Sequence, residues 1–232
     1  GYDFMIQGMT GIMEITGEPD GMPQKVGVAF ADVFTGLYGV IGIQAALAQR
    51  ARTGKGQHID MALFDCMLAA QANQNLNYLT TGQSPQRMGN AHTSIVPYQV
   101  FPVSDGHIVI ACGNNRQFHN LARALEREDW ITDPKFADNA ARLAHRAEAV
   151  GQITEVLSHW RKLDVLPVLE SAGVPSGPIN TIAEALEDPQ TLYRKMRITP
   201  EGIPGVRTPI KFSDAQLQLL RAAPGLGEHD ET

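Results

Sequence analysis

Asp32 is the residue in this sequence best placed to do chemistry. It lies in the stretch GVAFADVFTGLYGVIG, residues 27–42. Ahead of it, Val26, Val28 and Phe30 alternate with small residues, the period of a short buried strand. Behind it, Val33, Leu37, Val40, Ile41, Gln44 and Leu47 fall at helical spacing and run on to Arg50 and Arg52. This spacing sets one carboxylate where a strand hands over to a long apolar helix. Unpaired backbone N–H groups and roughly half a unit of positive dipole charge gather at such a point. A carboxylate there stays ionised and points outward, as a nucleophile requires, and it is also a good helix cap. On these residues alone both readings stay open.

Few other residues compete. Arg50, Arg52 and Lys55, around RTGKGQ (52–57), could touch phosphate or could merely balance the negative end of the helix dipole. Gly36, Gly39 and Gly42 sit three apart inside the helical pattern, which suits close packing better than a phosphate cradle. There is no P-loop, no GxGxxG after a strand and no GxSxG elbow. The seven histidines, His58, His92, His107, His119, His145, His159 and His229, show neither HExxH nor Cys/His zinc spacing, so no metal site is expected. His92, in a Gly-containing linker, is the histidine freest to face a pocket. Asp65 reads as a helix cap and Asp60 as a partner for Arg50 or Arg52. Cys66 and Cys112 read as small core residues. With no CxxC, a reducing cytoplasm is the default compartment.

The elements that must position Asp32 follow from the same pass. Residues 1–31 are punctuated by Gly and Pro, with one short helix over Met5–Thr16 and a surface turn at TGEPDGMP. HIDMALF (58–64) alternates and predicts a strand, after which Asp65 opens a helix to about Leu79. Residues 80–96 are polar and form a boundary. Then YQVFPV, SDG and HIVIAC predict a hairpin. Helices are predicted from Asn114 to Leu125, Arg142 to Trp160 and Val165 to Ala172, with a loop at ITDPKF and an extended GVPSGPIN. Thr181 and Glu184 make a capping box for a short helix ended by Asp188-Pro189. The tail alternates around Val206–Phe212, and APGLGEHDET closes on turn residues and acidic charge. The layout reads as 1–82, part of a large domain; 83–97, a linker and active-site loop; 98–195, a small domain; and 196–232, a return segment.

The 232 residues are 43% apolar with net charge −6, enough for a sizeable core. That balance argues against a nucleic-acid surface, which needs a basic face. No apolar run reaches the roughly 18–20 residues of a membrane span, so no membrane is expected. GYDFMIQG reads as neither a signal nor a natural start, and the expectation is a chain that opens in mid-domain.

Several long motifs together carry a resemblance. GYDFMIQGMTGIMEITGEPDGMPQKVGVAFADVFTGLYGVIGIQAALAQRARTGKGQHIDMALFD, GNAHTSIVPYQVFPVSDGHIVIACGNNRQF, AGVPSGPINTIAEALEDPQ and APGLGEH, in that order, resemble the family III CoA-transferases, the group of the formyl-CoA, carnitine and glutarate enzymes. The resemblance covers essentially the whole chain. It implies an α/β fold with part of a Rossmann-like large domain and a smaller α+β domain, two chains interlocking as a homodimer. It implies a preceding strand-rich segment that supplies much of the CoA site, and a few residues beyond Thr232. It places the family's nucleophilic aspartate on Asp32, in ADxxxG, with Tyr2, Gln7, Gly89, Asn90 and His92 as substrate-binding positions. The implied substrates are an acyl-CoA, such as succinyl-CoA, and a small carboxylic acid, with coenzyme A as a substrate rather than a permanent cofactor. The implied route is an aspartyl anhydride followed by an aspartyl-CoA thioester, with nearby backbone N–H groups holding the oxyanion. Arg87–His92 resembles the family's mobile loop, but reads MGNAH without its glycine run.

Two rivals remain. The acyl-CoA racemases of the same family carry GHD where this chain has GYD, and a tyrosine phenol, with a model-peptide pKa near 10, is a poor base at neutral pH. A non-catalytic binding module is the other.

Overall fold

The structure, a computed structural model, describes residues 1–230. The last two residues of the predicted acidic tail, 231 and 232, lie outside the described residues. Two compact units form, Gly1–Ser176 and the remainder from Gly177.

The first unit opens with α1 (Asp3–Met9), shorter than the predicted helix because turns take over from Thr10. Residues 26–29 form no strand, which corrects the alternation-based expectation. No neighbouring strand is there to pair with them; the buried Gln7 amide takes that place, accepting from Val26 N at 2.9 Å and donating to Val28 O at 3.3 Å. Helix α2 (Phe30–Thr53) follows and ends on Gly54 in the left-handed conformation, φ 72°, where a side chain would be strained.

Of its 24 residues only Ala31 is buried. The expectation that no run suits a membrane is corrected too. One 18-residue window of α2 has mean hydropathy 1.4, so the helix is long and apolar enough to cross a bilayer by length and composition. Its interspersed Gly, Ala and Thr break the run by eye without making it polar. A core helix of a larger fold has the same properties.

HIDMALF is not a strand either. Residues 56–62 run without regular structure, and α3 (Leu63–Ala70) begins before Asp65, which makes no cap bond. Two of the three glycines of the α2 stripe serve packing, though against this extended segment rather than a helix: Gly42 faces Ile59 and Gly39 faces Met61, while Gly36 meets nothing within 4 Å among the described residues. The predicted helix to Leu79 breaks at Ala72, φ 41°, and resumes as α4 (Asn73–Thr81).

The hairpin forms as predicted. β1 (Tyr98–Val103) pairs antiparallel with β2 (Gly106–Ala111), Val103 opposite Gly106. The Pro175 carbonyl accepts from Ala111 N as the chain enters β3 (Ser176–Pro178), giving the order β1-β2-β3. Around the hairpin pack α5 (Asn115–Ala124), α6 (Asp129–Thr132), α8 (Arg146–Leu157) and α9 (Lys162–Ser171), while α7 (Asn139–Ala144) sends the buried Arg142 to the Val96 carbonyl. The predicted helix from Arg142 to Trp160 is thus two, broken at His145. Phe101, Ile108, Ile110, Phe118, Trp130 and Phe136 lead the core, with Phe118 edge-on to Phe136.

In the second unit the Thr181–Glu184 capping box starts α10 (Ile182–Glu187), and Asp188 caps α11 (Pro189–Tyr193). β4 (Arg197–Ile198) pairs with β5 (Gly205–Val206); the alternation to Phe212 builds no longer strand.

Candidate active site

Asp32 is the third residue of α2, not its cap. The residue flanking the helix is Ala29, whose methyl side chain cannot accept a hydrogen bond. The missing cap comes from Asp3 on α1: its Oδ1 accepts from Ala31 N at 2.9 Å. Phe30 N is also taken, by Val28 O at 2.8 Å. Of the N–H groups expected to hold an oxyanion, two are therefore already in use. The result for Asp32 is the reverse of the capping reading. Its carboxylate is exposed, sits in the first helical turn where the dipole favours negative charge, and has no hydrogen bond or ion pair among the described residues.

Asp3 is the residue that sequence reasoning missed. It lies 28 positions from the N–H it caps, and nothing in local spacing reveals such a long-range cap. Its other oxygen accepts from Gln7 Nε2 at 2.8 Å. Gln7, a predicted substrate-binding residue, is 0% exposed, and its amide is occupied by Asp3, Val26 and Val28. It braces the approach to α2. Tyr2, next to Asp3, is 80% exposed.

The loop residues are held elsewhere. Gly89 has φ 57° and donates to Gly17 O at 3.0 Å, and a Cβ on it would meet the Glu18 carboxylate at 3.0 Å. Arg87 anchors one side by an ion pair to Glu14 at 3.0 Å. Arg146 anchors the other, donating to the His92 and Thr93 carbonyls. His92 Nδ1 accepts from Ser94 N at 3.0 Å, which leaves its proton on Nε2, and its ring lies 5.1 Å from Tyr98. Asn90 is exposed. Asp3 thus brings Gln7 and the α2 start together, while no hydrogen bond joins Asn90 or His92 to that start among the described residues.

Asp60 forms no ion pair with Arg50 or Arg52 among the described residues, and all three are exposed. An apolar groove of about 390 Å³ runs beside Tyr38, Gly42, Ile59, Met61 and Cys66. No group of three or more His, Cys, Asp or Glu among the described residues could hold a metal.

The family model described as CoA-transferase family III matches residues 1–230. The chain belongs to CoA-transferase family III. It is 50% identical to the succinate–glutarate CoA-transferase of Agrobacterium fabrum over 99% of its own length and 58% of that protein. It is 35% identical to the human succinyl-CoA:glutarate CoA-transferase, over 99% of this chain and 53% of the human one. The crystal structure of a CaiB/BaiF family protein from Brucella suis matches with a TM-score of 0.87 and 58% identity, covering 99% of this chain and 61% of that one. The fold is therefore that of the family. The chain spans a little over half the length of the curated relatives it matches.

Proposed function

We propose that the protein containing this chain is a CoA-transferase, moving CoA from succinyl-CoA or a similar acyl-CoA to a small free dicarboxylic acid. The observation that carries the reading is the unpartnered Asp32 carboxylate in the first turn of α2, released from capping by Asp3. Membership of the family and the names of its relatives support the substrate class.

In this reading an Asp32 oxygen bonds to the acyl carbon. The C–S bond breaks, giving an acyl-aspartyl anhydride and CoA thiolate. The thiolate attacks the aspartyl carbonyl and frees the donor acid, leaving an aspartyl-CoA thioester. The acceptor carboxylate then attacks that carbonyl, and the thiolate it displaces takes the new acyl group, freeing Asp32. Covalent catalysis divides one hard exchange into easier ones. The α2 dipole favours the carboxylate at rest. The Arg87–His92 loop, anchored at both ends, is read as the shield that keeps water from the anhydride. The rest of the polypeptide, and a second copy in a homodimer, would cover the apolar face of α2 and complete the CoA site. The setting is the cytoplasm, with no membrane or nucleic-acid partner.

The full-length protein tests this. Carbon label moves between succinyl-CoA and free glutarate, hydroxylamine during turnover marks Asp32, and Asp32→Ala loses activity on the order of 10³-fold or more. Full activity in Asp32→Ala sinks the reading. Loss of α-proton label without acyl movement points to a racemase, and CoA binding with neither activity points to a non-catalytic module.

A further inference from the structure

A cavity of about 770 Å³ lies wholly within the second unit. Arg194, Lys195, Arg207 and Lys211 line it together with Phe212 and Leu217, and no Asp or Glu among the described residues does. None of these four cations is in an ion pair among the described residues. Arg197, also on the wall, is paired with Glu187. A chain with 25 acidic and 19 basic residues has thus gathered several cations around one space that no carboxylate among the described residues lines.

Two routes bring them there. Arg194 and Lys195 follow α11, where Lys195 takes the left-handed conformation at φ 52° while Lys195 N and Met196 N close the helix on the Leu192 and Thr191 carbonyls. The plain account of these two is that they answer the negative end of the helix dipole. It does not account for Arg207 and Lys211, which are not on that helix. Arg207 N donates to Met196 O at 2.9 Å, which draws the chain after β5 alongside the end of α11. The Arg207 residue is only 9% exposed. Its Nη1 donates to Ile210 O at 3.2 Å, but its Nη2 is buried without any partner. A buried N–H without an acceptor is costly, and native structures rarely keep one without a reason. Desolvation, and then the like charges of Arg194, Arg207 and Lys195, hold the Lys211 ammonium below the usual lysine value. A bound anion would relieve both costs.

We infer that this cavity binds a phosphate-bearing anion, with Arg207 as its buried anchor and Arg194, Lys195 and Lys211 as the surrounding charge. Four cations exceed what one carboxylate calls for, and the guanidinium fork matches phosphate oxygens. Phe212 and Leu217 offer an apolar flank to whatever body carries the phosphate. The source is a nucleotide phosphate or inorganic phosphate, and the test separates them.

The full-length protein is titrated calorimetrically with inorganic pyrophosphate and with adenosine 3′,5′-bisphosphate, at low and high salt. Binding involves no turnover, so its outcome is independent of the Asp32 chemistry. Both probes should bind, and more weakly as salt rises. Arg194→Gln and Lys211→Gln, on half-buried and exposed side chains, should each weaken binding by about tenfold, and Arg207→Gln by more. Arg207→Lys should recover part of the affinity. Tighter binding of the nucleotide than of pyrophosphate assigns the site to a nucleotide phosphate; equal affinities assign it to inorganic phosphate. If neither probe binds, or if Arg194→Gln and Lys211→Gln bind as the wild type does, the inference is overturned. Those two variants decide the matter even if Arg207→Gln fails to fold.

Discussion

From Val96 to Val174 the chain closes a core of eighteen buried apolar residues around one hairpin. From Gly1 to Gly82 it buries Ile6, Ala31 and Met67 as a cluster and leaves most of a 24-residue apolar helix uncovered. The two regions are comparably apolar in sequence, so composition does not separate them. What separates them is where the partners for each apolar face lie. The hairpin region finds its partners within about eighty residues of its own chain. The α2 region, which carries Asp32, does not, and a large exposed apolar face marks an interaction surface. The closed region is thus a self-sufficient support. The open one is held by that small apolar cluster and by a few polar bonds around Asp3 and Gln7.

The sharpest way to break this comparison is to attack the closed region at Arg142. Its side chain is 0% exposed and donates to Val96 O, Phe136 O and Asn115 Oδ1, while its guanidinium lies 4.3 Å over the Phe118 ring. It ties the strap before β1 to α5 and to the loop after α6. Arg142→Ala in the full-length protein should cost about 3–5 kcal/mol in urea unfolding followed by tryptophan fluorescence. Arg142→Lys should recover little, because an ammonium cannot serve three acceptors in a plane. A cost below about 1 kcal/mol would show that the closed core does not hang on this residue.

A second, smaller effect comes from Cys112, on the same core. Burial pushes its thiol up to about 12, with Arg142 opposing slightly. The folded value lies above the unfolded one near 9, so the native state holds its proton longer. The stabilisation is complete below pH 9 and is lost as pH rises toward 12. By pH 11 the loss should amount to about 2–3 kcal/mol, at about 1.4 kcal/mol per pH unit. Cys112→Ala should flatten the alkaline limb of the stability profile by that amount. An unchanged limb would place the alkaline loss in other groups.

The comparison also explains what the sequence disclosed. The hairpin was legible because alternation, a Ser104-Asp105 turn and Gly106 agree with a structure built from adjacent residues. The capping box at Thr181 and Glu184 was legible for the same reason. Val26–Phe30 and HIDMALF alternate just as well, yet neither is a strand. A strand needs a neighbour, and alternation says nothing about whether one is present. The position of Asp32 at the start of α2 was legible from helical spacing. Its freedom from capping was not, since that depends on Asp3. Arg207 gave no signal: an arginine among the polar positions of an alternating segment reads as surface until burial shows otherwise.

The smallest predicted effect tests the open region through Asp3. Its two oxygens hold Ala31 N and Gln7 Nε2, so it closes a polar network at the α1–α2 junction that reaches the first turn of α2. Asp3→Ala removes a cap and should cost about 1 kcal/mol. Asp3→Asn keeps an acceptor for Ala31 N and should recover most of that. The loss should also be local. Hydrogen exchange at Ala31–Val33 should speed up in Asp3→Ala, while the amides of Phe118–Leu125 in the closed core keep their protection. With Ala31 N unserved, Asp32 becomes the nearest carboxylate to the helix start, so kcat should fall with KM little changed, and Asp3→Asn should restore it. If exchange rises equally in both regions, the junction is part of one cooperative core and the contrast between the two regions fails. If it rises only at α2 and kcat does not move, the cap is structural, and the freedom of Asp32 has another cause.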